Sequence, residues 1–162
     1  MKPIEIPHSE ITNVSKILCH DRKHKSKSTI TFINKENKWY FKTEVDEELF
    51  SNKDGKKCDF KLEQYCGKKN CVSDIVTESN ECPSNGAQYY VELKGENIND
   101  AIPQLENTIK KLYNGIEEGK AFIIFSNKSP NTSTANMKII KSFKLKNKIS
   151  LIIHKTPYEY NL

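Results

Sequence analysis

The sequence predicts an α/β (α+β) fold: a helix, a run of strands, a helix and a strand, with a further helix and strand after them. Three observations carry that prediction. Residues 38–45, 57–65 and 88–94 are short runs that read as strands: 38–45 carries Trp39, Tyr40 and Phe41, 57–65 alternates apolar and polar side chains, and 91–94 continues that period of two. Ile98, Ala101, Ile102, Leu105, Ile109 and Leu112 recur at helical spacing and form one apolar stripe. Ala121-Phe122-Ile123-Ile124-Phe125 is apolar without interruption, as in a strand covered on both faces. No linker or internal repeat divides the 162 residues, which suffice for one core, so residues 1–162 read as one domain.

In chain order, Ser9-Glu10 reads as a helix start, because Ile11, Val14, Ile17 and Leu18 follow at helical spacing. A basic loop, residues 21–27, leads to a strand over residues 28–33. The turn Asn34-Lys35-Glu36-Asn37 then predicts a hairpin with the strand over residues 38–45. Ser51-Asn52-Lys53-Asp54-Gly55 is a turn before the strand over residues 57–65. On that strand Cys58, Phe60 and Leu62 share one face, and Asp59, Lys61 and Glu63 the other. Residues 66–86 are polar and irregular. The helix after Gly95 should begin near Pro103, since proline is comfortable only in a first turn. Met137, Ile140 and Phe143 predict a second amphipathic helix, residues 149–154 a closing strand, and the remaining residues a polar, aromatic tail.

Composition narrows the function classes. Lys and Arg number 26 against 21 Asp and Glu, a net charge of +5 that suits a polyanionic partner. A lysine-rich solvated surface accounts for the same excess. No run approaches the roughly 18 apolar residues of a membrane span. The first residues also lack the apolar stretch of a signal peptide, so the expectation is a cytoplasmic protein without membrane contact. Five cysteines, an odd number, argue against a disulfide framework. Cys58, Cys66, Cys71 and Cys82 fall in one window, but structural zinc sites favour two tight pairs. They therefore read as buried or loop thiols, with structural Zn²⁺ as the competing reading. His20, His24 and His154 have no partner by spacing, and pairing Cys19 with a histidine as a nucleophile has no support beyond proximity in sequence. Trp39 and Tyr40 read as sheet packing, with base stacking as the alternative. The basic positions at 22–27, 68–69 and 138–148 are candidates for tracking a phosphate backbone.

The chemistry concentrates in Val91-Glu92-Leu93-Lys94-Gly95. Strand alternation puts Glu92 and Lys94 on one face, with Tyr89, Val91 and Leu93 on the other. Asp59 sits on the strand before. Two carboxylates and a lysine at one sheet edge are the parts needed to hold a hard divalent cation beside a water.

A strand Asp followed by Glu-x-Lys on the next strand resembles the signature of the PD-(D/E)xK nuclease superfamily. Cys58 stands where that signature has proline. The resemblance, spanning residues 9–126, implies a restriction-endonuclease-like αβββαβ core with a mixed central sheet flanked by helices. It implies Mg²⁺ or Mn²⁺ held by Asp59, Glu92 and the Leu93 carbonyl, with Lys94 acting on the attacking water. A further carboxylate from the first helix would be Glu10, in competition with Glu44 and Asp46. Gln104, on the helix after the Glu-x-Lys strand, would reach back toward the site, or else be a surface glutamine. The implied activity is hydrolysis of phosphodiester bonds in DNA or RNA, of the kind found in bacterial and phage defence. A homodimer or a larger effector complex would supply specificity. The alternative is a catalytically silent member acting as a nucleic-acid- or protein-binding subunit; a third is a protein organised by zinc at the four cysteines.

Overall fold

The structure, a computed structural model, describes residues 9–20, 27–45, 55–65, 86–95, 97–113, 115, 118–127 and 133–162. Among these, nine strands and two helices follow in the order β1 (Ser9–Thr12), β2 (Lys16–His20), β3 (Thr29–Ile33), β4 (Tyr40–Glu44), β5 (Phe60–Gln64), β6 (Gln88–Lys94), α1 (Ile98–Leu112), β7 (Gly119–Phe125), α2 (Ser133–Asn147), β8 (Ser150–Lys155) and β9 (Tyr158–Asn161). The fold is α+β. A six-stranded sheet has the order β1-β4-β5-β6-β7-β8, and a three-stranded sheet the order β2-β3-β9. The larger sheet is mixed: antiparallel from β1 to β6, parallel from β6 to β8.

Both faces of the large sheet are covered. The two helices lie on one face, around Tyr90, Ala121, Ile123 and Leu151 of the sheet and Ile98, Ala101, Leu105 and Ile109 of α1. The small sheet lies on the other, meeting it through Ile30, Phe32, Tyr40, Leu62, Val91 and Phe122. Alternation along β7 shows why its apolar run is continuous, since Ala121, Ile123 and Phe125 serve the helix side, Phe122 and Ile124 the other.

Several expectations are corrected. Residues 9–20 form no helix; they make β1 and β2, one in each sheet. Of the four residues spaced as a helical stripe, Val14 and Leu18 are exposed; burial along β2 falls instead on Ile17 and Cys19, a period of two. The β3–β4 hairpin does not form either. Ile30 and Phe32 of β3 and Tyr40 of β4 enter the same interlayer core, so the two strands stack face to face in different sheets. Asn34 holds the crossing, its Nδ2 donating to the Lys38 carbonyl at 2.9 Å and to the Val14 carbonyl at 3.2 Å. Among the described residues, helices therefore cover a single face of the central sheet, with the small sheet on the other face. Cys58 does not share a face with Phe60 and Leu62. The chain bends at Asp59, and Cys58 packs on the helix side, its N–H donating to Thr108 Oγ1 at 2.9 Å.

The helix α1 starts at Ile98, five residues before Pro103. Asn97 caps it through Oδ1, which accepts from Asn99 N at 3.1 Å. Pro103 is exposed and near enough the amino end to cost one backbone bond. In α2 the buried residue is Phe143, joined by Ile139 and Ile140, while Met137 points outward at 71% exposure. Residues 158–161, expected as tail, add β9 to the small sheet in parallel with β3.

Candidate functional site

Glu92 and Lys94 sit at the carboxyl end of β6, one residue before the chain leaves the sheet at Gly95. Every residue from Gln88 to Leu93 is buried, because α1 covers one face of β6 and the small sheet the other. Glu92 is only 1% exposed and lies on the helix side with Tyr90; strand alternation alone left it at a surface. Its Oε1 pairs with Lys94 Nζ at 2.7 Å, and the Lys94 side chain, 23% exposed, is the member that reaches solvent.

Asp59 approaches the same residues from β5. The ladder between β5 and β6 runs from Glu63 opposite Gln88 to Phe60 opposite Val91 and stops there. One step beyond, Asp59 Oδ2 accepts the Leu93 N–H at 2.6 Å, so a side chain takes the place of the next backbone partner. This bond puts an Asp59 oxygen on the peptide that joins Glu92 to Leu93. The N–H and C=O of a strand residue face the same neighbour, so the Leu93 carbonyl also faces β5. Asp59 is itself fixed in place, its carbonyl accepting from Val45 N at 2.9 Å. The segment after β6 is anchored as well: the Lys94 carbonyl accepts from Ser28 Oγ at 2.6 Å and from Ser126 N at 3.1 Å.

Gln104 reaches down from α1, its Nε2 donating to the Lys57 carbonyl at 3.1 Å, two residues from Asp59. Its Oε1 is buried and has no hydrogen-bond partner among the described residues. The structure thus gathers Asp59, Glu92, Leu93, Lys94 and Gln104 around the junction of β5, β6 and α1.

Glu10 is not brought there. It lies on β1, separated from β6 by β4 and β5, or roughly 14 Å at the usual strand spacing. Its side chain stands opposite Lys42, on the face toward the small sheet, 70% exposed and 4.0 Å from Lys42 Nζ. The reason is the missing helix, which was to carry a carboxylate over the site. Glu44 is exposed on that same far face, and Asp46 lies outside the described residues. Cys66, Cys71, Cys82 and His24 also lie outside them. Cys58, the described member of the cysteine window, is a buried free thiol. Burial pushes its pKa well above the usual thiol range, and the Glu92 charge adds to that. Cys19 is likewise buried, its pKa pushed up to about 12 chiefly by burial.

Sequence reasoning missed a polar row beside the site. Lys61 pairs with Glu63; Glu63 Oε1 accepts from Gln88 Nε2 at 3.2 Å; Gln88 Oε1 accepts from Tyr90 OH at 2.8 Å. Strand alternation put Gln88 and Tyr90 on the face of Glu92, the signal that this face continues inward as a hydrogen-bonded row.

The donor set suits a hard cation in type: two carboxylates and a carbonyl, all oxygen. Among the described residues no three or more His, Cys, Asp and Glu side chains converge as a metal cluster. No family model, no curated protein and no solved structure matches this chain. No helix of the described residues is long and apolar enough to cross a membrane.

Proposed function

We propose that the chain is a metal-dependent nuclease of the PD-(D/E)xK type, cutting phosphodiester bonds in DNA or RNA. One observation carries this reading: the Asp59 carboxylate, from the antiparallel neighbour, is hydrogen-bonded to the backbone inside Glu92-Leu93-Lys94. The succession β5, β6, α1, β7 supports it, since an antiparallel pair, a helix and a parallel strand are the latter part of the core this superfamily uses. The place in the fold supports it too. The site lies at the carboxyl edge of the parallel strands, where α/β sheets bind ligands, and α1 turns its amino end and partial positive charge to that edge.

In this reading Asp59, Glu92 and the Leu93 carbonyl would hold Mg²⁺ or Mn²⁺, which when bound supplies Lewis acidity at a phosphoryl oxygen. The chain's own residues do the rest. Lys94, the solvent-reaching member, places its ammonium group beside the scissile phosphate, orients the attacking water and offsets the charge gathering on the phosphoryl oxygens. The Leu93 N–H holds Asp59 in one orientation by donating to it. Gln104 keeps the Lys57–Asp59 backbone at its distance from α1.

A second reading, a catalytically silent binding subunit, draws on the burial of Glu92 behind its bond to Lys94. One experiment separates the two. Purified protein is incubated with single-stranded and duplex DNA and RNA in Mn²⁺ and in chelator, beside Glu92→Gln and Lys94→Ala. The nuclease reading expects cleavage in Mn²⁺ alone, with a loss of about 100-fold or more in either variant. Cleavage that survives Glu92→Gln, or no cleavage by the wild type with any substrate, rejects it.

A further inference from the structure

The outer face of α2 is basic. Its fifteen residues include no Asp or Glu. The inward arc, Ile139, Ile140 and Phe143, packs on β8 and the end of α1. Lys146 is drawn sideways to Glu106 of α1, with Nζ 2.6 Å from Oε2. On the arc turned to solvent stand Met137, Lys138, Lys141, Lys144 and Leu145, all exposed. At 100° per residue these five fall within about 120° of the helix circumference, opposite the buried arc. Among the described residues Lys138, Lys141 and Lys144 make no ion pair, so three cations line one stripe roughly 9 Å long with nothing to balance them.

The geometry points to this stripe as a docking surface for the phosphate backbone of a nucleic acid. Charge complementarity commits the occupant. Three ammonium groups one helical step apart match a chain of regularly spaced anions, and the affinity of such contacts comes from released counterions and not from shape. A bilayer fits the face poorly. A helix that lies on lipid keeps an apolar face for the acyl chains, and α2 has already spent its own against β8. What remains apolar outside, Met137 and Leu145 at 71% and 76% exposure, is interleaved with lysines and forms no continuous face. Topology ties the stripe to the candidate site. The helix begins after β7, at the carboxyl edge where Glu92 and Lys94 lie, and runs back to the amino end of β8. A backbone held along α2 therefore leads toward that edge from Lys138. The inference deepens the nuclease reading by naming where the uncut part of the substrate rests, but binding at α2 does not require cleavage.

The test uses binding in chelator, so that no cut can occur. Fluorescein-labelled single-stranded and duplex oligonucleotides, DNA and RNA, are titrated by anisotropy between 50 and 300 mM salt, with wild type and with Lys138→Gln/Lys141→Gln/Lys144→Gln. Glutamine keeps helix propensity close to that of lysine, and circular dichroism checks the fold. The expected result is at least about tenfold weaker binding at low salt. The slope of log K against log salt should fall by roughly two to three units, one counterion term per lost contact. Equal affinity and slope in the variant, no binding by the wild type to any of the four probes, or lysine dependence seen with phosphatidylserine vesicles and not with oligonucleotides would each overturn the assignment. The Glu92→Gln cleavage assay bears on the nuclease reading alone, so the two can fail separately.

Discussion

The two faces of the six-stranded sheet are built on opposite principles. Toward the small sheet, Phe32, Tyr89, Phe122 and Tyr160 meet with ring centroids 5.0–6.4 Å apart, edge-on or tilted, in a layer whose buried side chains are almost wholly apolar or aromatic. Toward the helices, β7 and β8 carry apolar residues against α1 and α2. Along β5 and β6 the face changes to Lys61, Glu63, Gln88, Tyr90, Glu92 and Lys94, joined by hydrogen bonds and ion pairs. The contrast teaches that apolar packing and polar pairing are divided between the faces. Dispersion and burial hold the small-sheet face, and its loss is felt in folding alone. The helix face bears the desolvation of charged groups, a cost that sequences keep where the groups have work to do.

The largest expected effect breaks the apolar face. Phe122→Ala removes a ring enclosed by three others and should lower unfolding free energy by about 3–5 kcal/mol in urea titration. Oligonucleotide binding by the variant that remains folded should stay at the wild-type level.

A smaller effect sharpens the other face. Lys94→Met takes the ammonium partner from the Glu92 carboxylate, in a site 1% exposed. The cost should be about 2 kcal/mol, below that of a fully enclosed pair because the Lys94 side chain is partly solvated. Adding Glu92→Gln to Lys94→Met should recover most of that loss. A double-mutant cycle finding additive effects would show that the pair is not coupled.

The smallest effect is nil at neutral pH. In the unfolded chain the Cys19 thiol ionises near 9, whereas in the fold it keeps its proton to about 12. Its contribution is therefore intact below pH 9 and is lost as pH rises toward 12, of order 2–3 kcal/mol by pH 11. Cys19→Ala should flatten that alkaline slope. In the native protein at pH 8, alkylation followed by peptide mapping should leave Cys19 and Cys58 unmodified until urea is added.

How legible this was in the sequence depended on which physical signal each element left. Alternation along residues 60–64 and 91–94, the stripe from Ile98 to Leu112 and the unbroken run from Ala121 to Phe125 were all written in polarity, and they gave β5, β6, α1 and β7. Polarity does not say which sheet a strand joins, so β3 and β4 read as a hairpin although they stack across a core. Ile11, Val14, Ile17 and Leu18 satisfy a helical period by chance of spacing. β9, four residues with two aromatics, is too short to mark itself. The Glu-x-Lys pair and Asp59 were legible as candidates because strand pairing is local. The burial of Glu92 was not, since the cover comes from α1 and a second sheet. Glu10 followed the helix that did not form.

The way the small sheet is closed has a consequence for synthesis. Its central strand pairs on one side with β2, thirteen residues earlier, and on the other with β9, whose partner residues Ile30 and Tyr158 are separated by most of the chain. A ribosome therefore exposes a two-stranded ribbon, with Ile30 and Phe32 bare, long before residue 158 exists to cover its edge. Over that interval the nascent chain carries a sticky, open strand. Premature stops or a fusion that occludes residues 158–161 should show up first as poor solubility during expression, ahead of any change in chemistry.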